Sequence, residues 1–138
     1  MEHVAQFPIS ETPRHLGRST GAVLAGLLTI LVTHTGTDAV LHATGVYPTA
    51  GVTMSAGLFG LALAYRTVFS VLGAYVTARL APRRPLKHAL VLGGIGSLLS
   101  LGGVIANLAH PEIGPLWYPV ALLACTLPCC WLGAKLVK

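Results

Sequence analysis

Near the middle of one long apolar stretch, residues 54–81, stands an arginine, Arg66, and its placement restricts what this chain can become more than any other feature. A stretch of that length and apolarity needs a bilayer around it. At the centre of a membrane helix an arginine costs about 2.5–3.5 kcal/mol, so it turns to a partner or a wet cavity in preference to hydrocarbon. Composition points the same way. Of the 138 residues 54% are hydrophobic and 9% charged, with a mean hydropathy of +0.73, which leaves too little polar surface to coat a water-soluble globule. The expected fold is therefore an all-α integral membrane protein.

Three further stretches are apolar enough to cross, and the breakers between them divide the chain. Gly45, Pro48 and Gly51 separate a first span, residues 19–42, from the second at 54–81. Pro82, Arg83, Arg84, Pro85 and Lys87 make a tight basic turn before a third span at 86–109. Pro111, Gly114 and Pro115 precede the fourth, at 116–137. Residues 1–18 are polar, carry Pro8 and Pro13 and lack periodicity, and are read as a flexible cytoplasmic arm. The domain division is thus 1–18 and 19–138. The first span has a short apolar core after Arg14 and Arg18, as a signal peptide also would, but no small-x-small site follows it cleanly.

Lys and Arg in short loops set orientation. Eight of the nine basic residues precede span one, join spans two and three, or end the chain, and the ninth is Arg66. This predicts a four-transmembrane-helix bundle with both termini cytoplasmic. Tyr47, Trp117 and Tyr118 would mark the outer boundary, and Tyr75 and Trp131 the inner one. A faint repeat, Tyr47-Pro48 with Tyr118-Pro119 and Ala78-Arg79-Leu80 with Ala134-Lys135-Leu136, would relate the two hairpins in parallel.

The outer half of span one is polar. His34, Asp38 and His42 are each four residues apart and share a helix face. Side chains lean towards the N-terminus of their own helix, so Asp38 leans inward while Arg66 leans outward, and the two are expected to meet. Asp38 is the only acid inside a span, since Glu2, Glu11 and Glu112 lie outside the four. The expected intramembrane polar site is Arg66 with Asp38, and with His34 or His42 as a hydrogen-bonding neighbour. The site is either an anion or proton site lined also by Thr37, or an ion pair that fixes packing. No metal is expected. His34 and His42 stand about 12 Å apart along a helix, too far to share one ion, and no cofactor motif occurs.

Small residues recur at helical spacing: Gly93 with Ser97 and Gly96 with Ser100 in span three, and Ala56, Gly60 and Ala64 in span two. They are expected to let helix backbones approach closely within the chain. Pro128 is expected to kink span four near Ala124. Cys125, Cys129 and Cys130 read as small buried hydrophobes and imply no disulfide. Arg79, Arg83, Arg84 and Lys87 would sit among anionic lipid headgroups on the cytoplasmic side, at about 1 kcal/mol each. The basic residues border apolar segments and form no nucleic-acid motif.

Several strings resemble those of a family of small, uncharacterised bacterial inner-membrane proteins. They include Thr37-Asp38 with Gly45-Val46-Tyr47-Pro48, Ala64-Tyr65-Arg66, Ala78-Arg79-Leu80-Ala81-Pro82, Gly114-Pro115 with Trp117-Tyr118-Pro119, and Leu127-Pro128-Cys129 with Trp131-Leu132-Gly133. The resemblance covers most of the chain after about residue 16. It implies four spans and a multi-pass place in the bacterial inner membrane, and brings no activity, cofactor or ligand with it.

Two functions compete. One is a small oligomeric transporter or permeation component built on the Asp38/Arg66 site, oligomeric because four spans enclose little volume. The other is an accessory subunit of a larger membrane complex with no substrate of its own. An enzyme is not expected, because no nucleophile and base pair, phosphate loop or zinc-hydrolase motif occurs. A cleft between spans one and two reaching Arg66 would favour the first reading, and a closed pair the second.

Overall fold

The computed structural model describes residues 13–138, so most of the predicted arm lies outside the described residues. Within them the chain is helical, with four helices long and apolar enough to cross a membrane. These are α1 (Pro13–Ala43), α2 (Ala56–Leu80), α3 (Pro85–Ala109) and α4 (Trp117–Lys135), with one 3₁₀ turn, Pro111–Ile113, before α4. α1 starts at Pro13, ahead of the predicted residue 19. A proline at the first helical position lacks only an N–H that has no helical partner there. α4 continues through Pro128 without a break.

Each connection follows from its turn residues. After α1, Gly45 adopts φ 74°, a left-handed conformation that glycine enters without strain. The chain then doubles back, and the Tyr47 amide donates to the Leu41 carbonyl at 2.9 Å. Ser55 caps α2 by accepting from the Leu58 amide. At the other end Arg84, φ 51°, precedes Pro85, which opens α3. The proline disfavours right-handed helix at Arg84 and so sharpens this turn.

Short connections make consecutive helices antiparallel. The α2–α3 turn and the C-terminus thus share one end of the bundle, here the basic end, and the 44–55 and 110–116 connections share the loop end. α2 packs against α1 and α4, and α3 packs against α4. α1 meets α3 only lightly, and α1 and α4 do not meet.

The basic half is the tight half. Ala74, Ala78, Ala89, Leu92, Cys130 and Ala134 form a buried cluster, with Val23, Leu27, Ile30 and Val137 against it. Glycine makes this closeness achievable. A Cβ on Gly133 would lie 2.5 Å from the Val71 carbonyl oxygen and 2.7 Å from the Ala74 Cβ. α1 and α2 meet in the same way through Gly26 and Gly73, with the Thr77 side chain against Gly26. The predicted stripe of Ala56, Gly60 and Ala64 does not serve this purpose. Ala56 and Ala64 are exposed and nothing lies within 4 Å of a Cβ placed on Gly60, because the face of α2 that meets its neighbours is the one carrying Phe59, Ala62 and Gly73.

Outward faces are apolar, as at Leu28, Val32 and Leu98, the last 72% exposed. Hydroxyls on the helices mostly return to their own backbone: Thr29, Thr33, Thr35, Thr67 and Thr126 each donate to the carbonyl four residues back at 2.7–2.8 Å. In hydrocarbon this satisfies a polar group that water cannot reach.

Candidate functional site: a charged pair beside an interior cavity

Asp38 and Arg66 meet. The Arg66 Nη2 donates to Asp38 Oδ2 at 2.6 Å, and each side chain is 28% exposed. Antiparallel pairing of α1 and α2 brings the two levels together, and the opposed lean of side chains on antiparallel helices closes the remaining gap.

A tyrosine, not a histidine, bonds the Asp38 carboxylate, and of the two expected histidines His34 meets the pair at the Arg66 carbonyl. Tyr65, beside Arg66 on α2, donates its hydroxyl proton to Asp38 Oδ1. The Tyr47 hydroxyl lies 3.2 Å from that of Tyr65. Since Tyr65 has a single proton and gives it to the carboxylate, Tyr47 is the donor in that second contact. A chain of donors thus runs from Tyr47 through Tyr65 to Asp38, which Arg66 meets from the other side.

His34 lies 3.2 Å from the Arg66 carbonyl through Nε2. A carbonyl only accepts, so His34 carries its proton on Nε2 and ties α1 to the α2 backbone. His42, one turn beyond Asp38, is exposed and packs edge-on against Tyr47, with ring centroids 5.3 Å apart. Thr37 makes no hydrogen bond to the pair. Tyr47 does not face outward: it is 5% exposed, because the Gly45 turn folds it back onto α2.

Arg66 also lines a half-open cavity of about 460 Å³, walled by all four helices, Ile30 and His34 of α1 among them, and by the 113–115 connection. Its floor is the tight core, at Leu27, Leu92 and Cys130. Along α3 its wall is Gly96, Ser100 and Gly103. Of these, Gly96 and Ser100 were expected to bring backbones together. Gly93 and Gly96 do so against Cys130 and Thr126, but nearer the loop end the same composition leaves space unfilled. At that end Phe59 and Tyr118 pack with ring centroids 5.1 Å apart. Asn107, buried on α3, donates to the Gly114 carbonyl at 2.9 Å and holds the connection down over them.

At the basic end Arg83, Arg84, Lys87 and His88 wall a second, open pocket of about 440 Å³. Arg79 is exposed in the last turn of α2, where a cation suits the helix dipole.

Two residues of the charged site, Tyr65 and Tyr47, were missed in the sequence. The one available signal was the direct adjacency of Tyr65 to the only arginine near the middle of a span. No family model, no curated protein and no solved structure matches the chain.

Proposed function

We propose that this is a multi-pass protein of the bacterial inner membrane with both termini cytoplasmic. Its interior cavity beside Arg66 binds a small ligand, and the protein serves as the binding part of a small, oligomeric permeation or transport system. The observation that carries the reading is the cavity itself. Half of the bundle is packed to the point of helix contact through glycine, while the other half keeps a 460 Å³ void against a charged residue. A bundle built only for packing would lose dispersion contacts along such a void for no return. Size and the few polar groups on an apolar wall are those of a ligand site.

Orientation rests on the basic residues, with Arg79, Arg83, Arg84 and Lys87 among anionic headgroups on the cytoplasmic side. An impermeant maleimide checks it. In a cysteine-free background, cysteine at position 84 should stay unlabelled in intact cells and react after permeabilisation, while cysteine at Ile113, exposed at the loop end, should react from outside. Labelling of position 84 in intact cells would invert the topology.

One observation favours the second reading, an accessory subunit. The ion pair joins α1 to α2, which pack closely, as a purely structural clamp would. The native thiol of Cys125, on the cavity wall and half-buried, separates the two. A lipid-soluble phenylmercury reagent should modify Cys125 stoichiometrically in the folded protein, and Gly103→Leu, which fills the void, should slow that modification at least tenfold. Reaction of Cys125 only on unfolding would mean a sealed interior and leave the accessory role.

A further inference from the structure

The cavity has a definite shape. Along α3 it runs from Leu92 to Asn107, which is about 22 Å at 1.5 Å per residue. The space of about 460 Å³ is therefore elongated, and an acyl chain lying along α3 follows it. One end is closed by the core at Leu92 and Cys130, and the other is covered by Phe59, Tyr118 and the tethered Gly114. Among adjacent helices α1 and α3 are the pair that packs least, which makes the gap between them the least obstructed lateral approach.

The wall grades in polarity along this length. Towards the floor it is Leu27, Leu92 and Cys130, and towards the loop end it carries Arg66, Asn107 and Tyr118. Thr67 and Thr126 on the same wall spend their protons on their own helices. The hydroxyls of Ser70, Ser100 and Tyr118 differ. They line the cavity and make no hydrogen bond to any described residue. Three hydroxyl groups at successive depths are therefore free to meet a ligand. Asp38 already balances the charge of Arg66, so the site carries no net positive charge to hold a free anion.

We infer that the cavity holds one single-chain lipid with an uncharged, hydrogen-bonding head of the monoacylglycerol class. The tail lies along Ser100 and Leu99 towards the Leu92 and Cys130 floor. The ester and hydroxyl oxygens meet Tyr118 and Asn107. A lipid of the leaflet at the loop end already points its head and tail in these directions, so it enters between α1 and α3 without turning over. The inference rests on the ligand-binding reading of the cavity and names the ligand for it.

The test uses the full-length protein in lipid nanodiscs with a monoacylglycerol photoprobe carrying a diazirine in its chain. Irradiation should place the adduct on the α3 and α4 peptides that contain Leu99 and Leu122. Unlabelled monoolein should compete, while palmitate and a short-chain monoacylglycerol should compete at least tenfold less well. Ser100→Leu and Gly103→Leu should each lower labelling at least tenfold, and Leu98→Ala, on the outward face, should leave it unchanged. Two cavity-filling variants are named so that the loss of one to misfolding leaves the other. Stronger competition by palmitate would overturn the neutral head. Labelling spread evenly over the outward faces and indifferent to both leucine variants would overturn the lipid. If the photoprobe fails while phenylmercury still reaches Cys125, the ligand class is wrong and the cavity reading stands; if both fail, the cavity reading falls with it.

Discussion

Replacing Gly133 by valine should destabilise the bundle by about 3 kcal/mol, the upper part of the usual range for overpacking, whereas the same change at Gly102 should shift stability by well under about 1 kcal/mol. At Gly133 a Cβ would sit 2.5 Å from the Val71 carbonyl oxygen and 2.8 Å from the Tyr75 amide nitrogen. Both are backbone atoms of a regular helix and cannot swing aside as a side-chain tip can. α4 would have to move off α2, and the cluster around Ala74 and Cys130 would open with it. At Gly102 nothing lies within 4 Å of a new Cβ, so only the helix-propensity difference remains, a few tenths of a kcal/mol in valine's favour over glycine. Unfolding in detergent by denaturant, followed by helix signal, reads both. Equal effects at the two positions would mean that α2 and α4 do not meet through Gly133. The basic half would then not be the rigid half of the molecule.

What could be read from the sequence divides along physical lines. Spans were legible because their signal is composition summed over about twenty residues, and breakers as strong as Pro82 and Pro85 or Gly114 and Pro115 delimit them. The start of α1 was not, since a helix that continues past the apolar core changes no hydropathy, and Pro13 reads equally as a breaker or as a first residue. Asp38 and Arg66 could be matched by elimination, one acid against one central base. Tyr65 and Tyr47 could not. A tyrosine in a membrane helix is most simply an interfacial anchor, and only the Gly45 turn, which folds the chain back over α2, tells Tyr47 from Trp117. The cavity was least legible of all. Gly96, Ser100 and Gly103 have the spacing of a close helix contact, and whether such a stripe meets a neighbour or stands away from it depends on crossing geometry set elsewhere, at Gly133 and Gly73. His42 shows a further limit. It shares a face with Asp38 by spacing, but lies a full turn nearer the end of α1, where Tyr47 claims it.

The second large effect concerns the charged pair. Removing one partner of a buried ion pair costs about 3–5 kcal/mol because the other charge is left in low dielectric. Here each side chain keeps about a quarter of its exposure, so solvent screening reduces the expected cost to about 2 kcal/mol for Asp38→Asn or Arg66→Gln alone. Tyr65→Phe, which removes one donor to Asp38, should cost about 1 kcal/mol. The most direct test of a charge held inside the bundle by pairing α1 to α2 is the double-mutant cycle on Asp38→Asn and Arg66→Gln, with unfolding free energy measured in one detergent. Pairing predicts that the double variant is no less stable than either single one, with a coupling energy of about 2 kcal/mol. Strictly additive losses would contradict it, and would leave Arg66 stabilised by something other than Asp38.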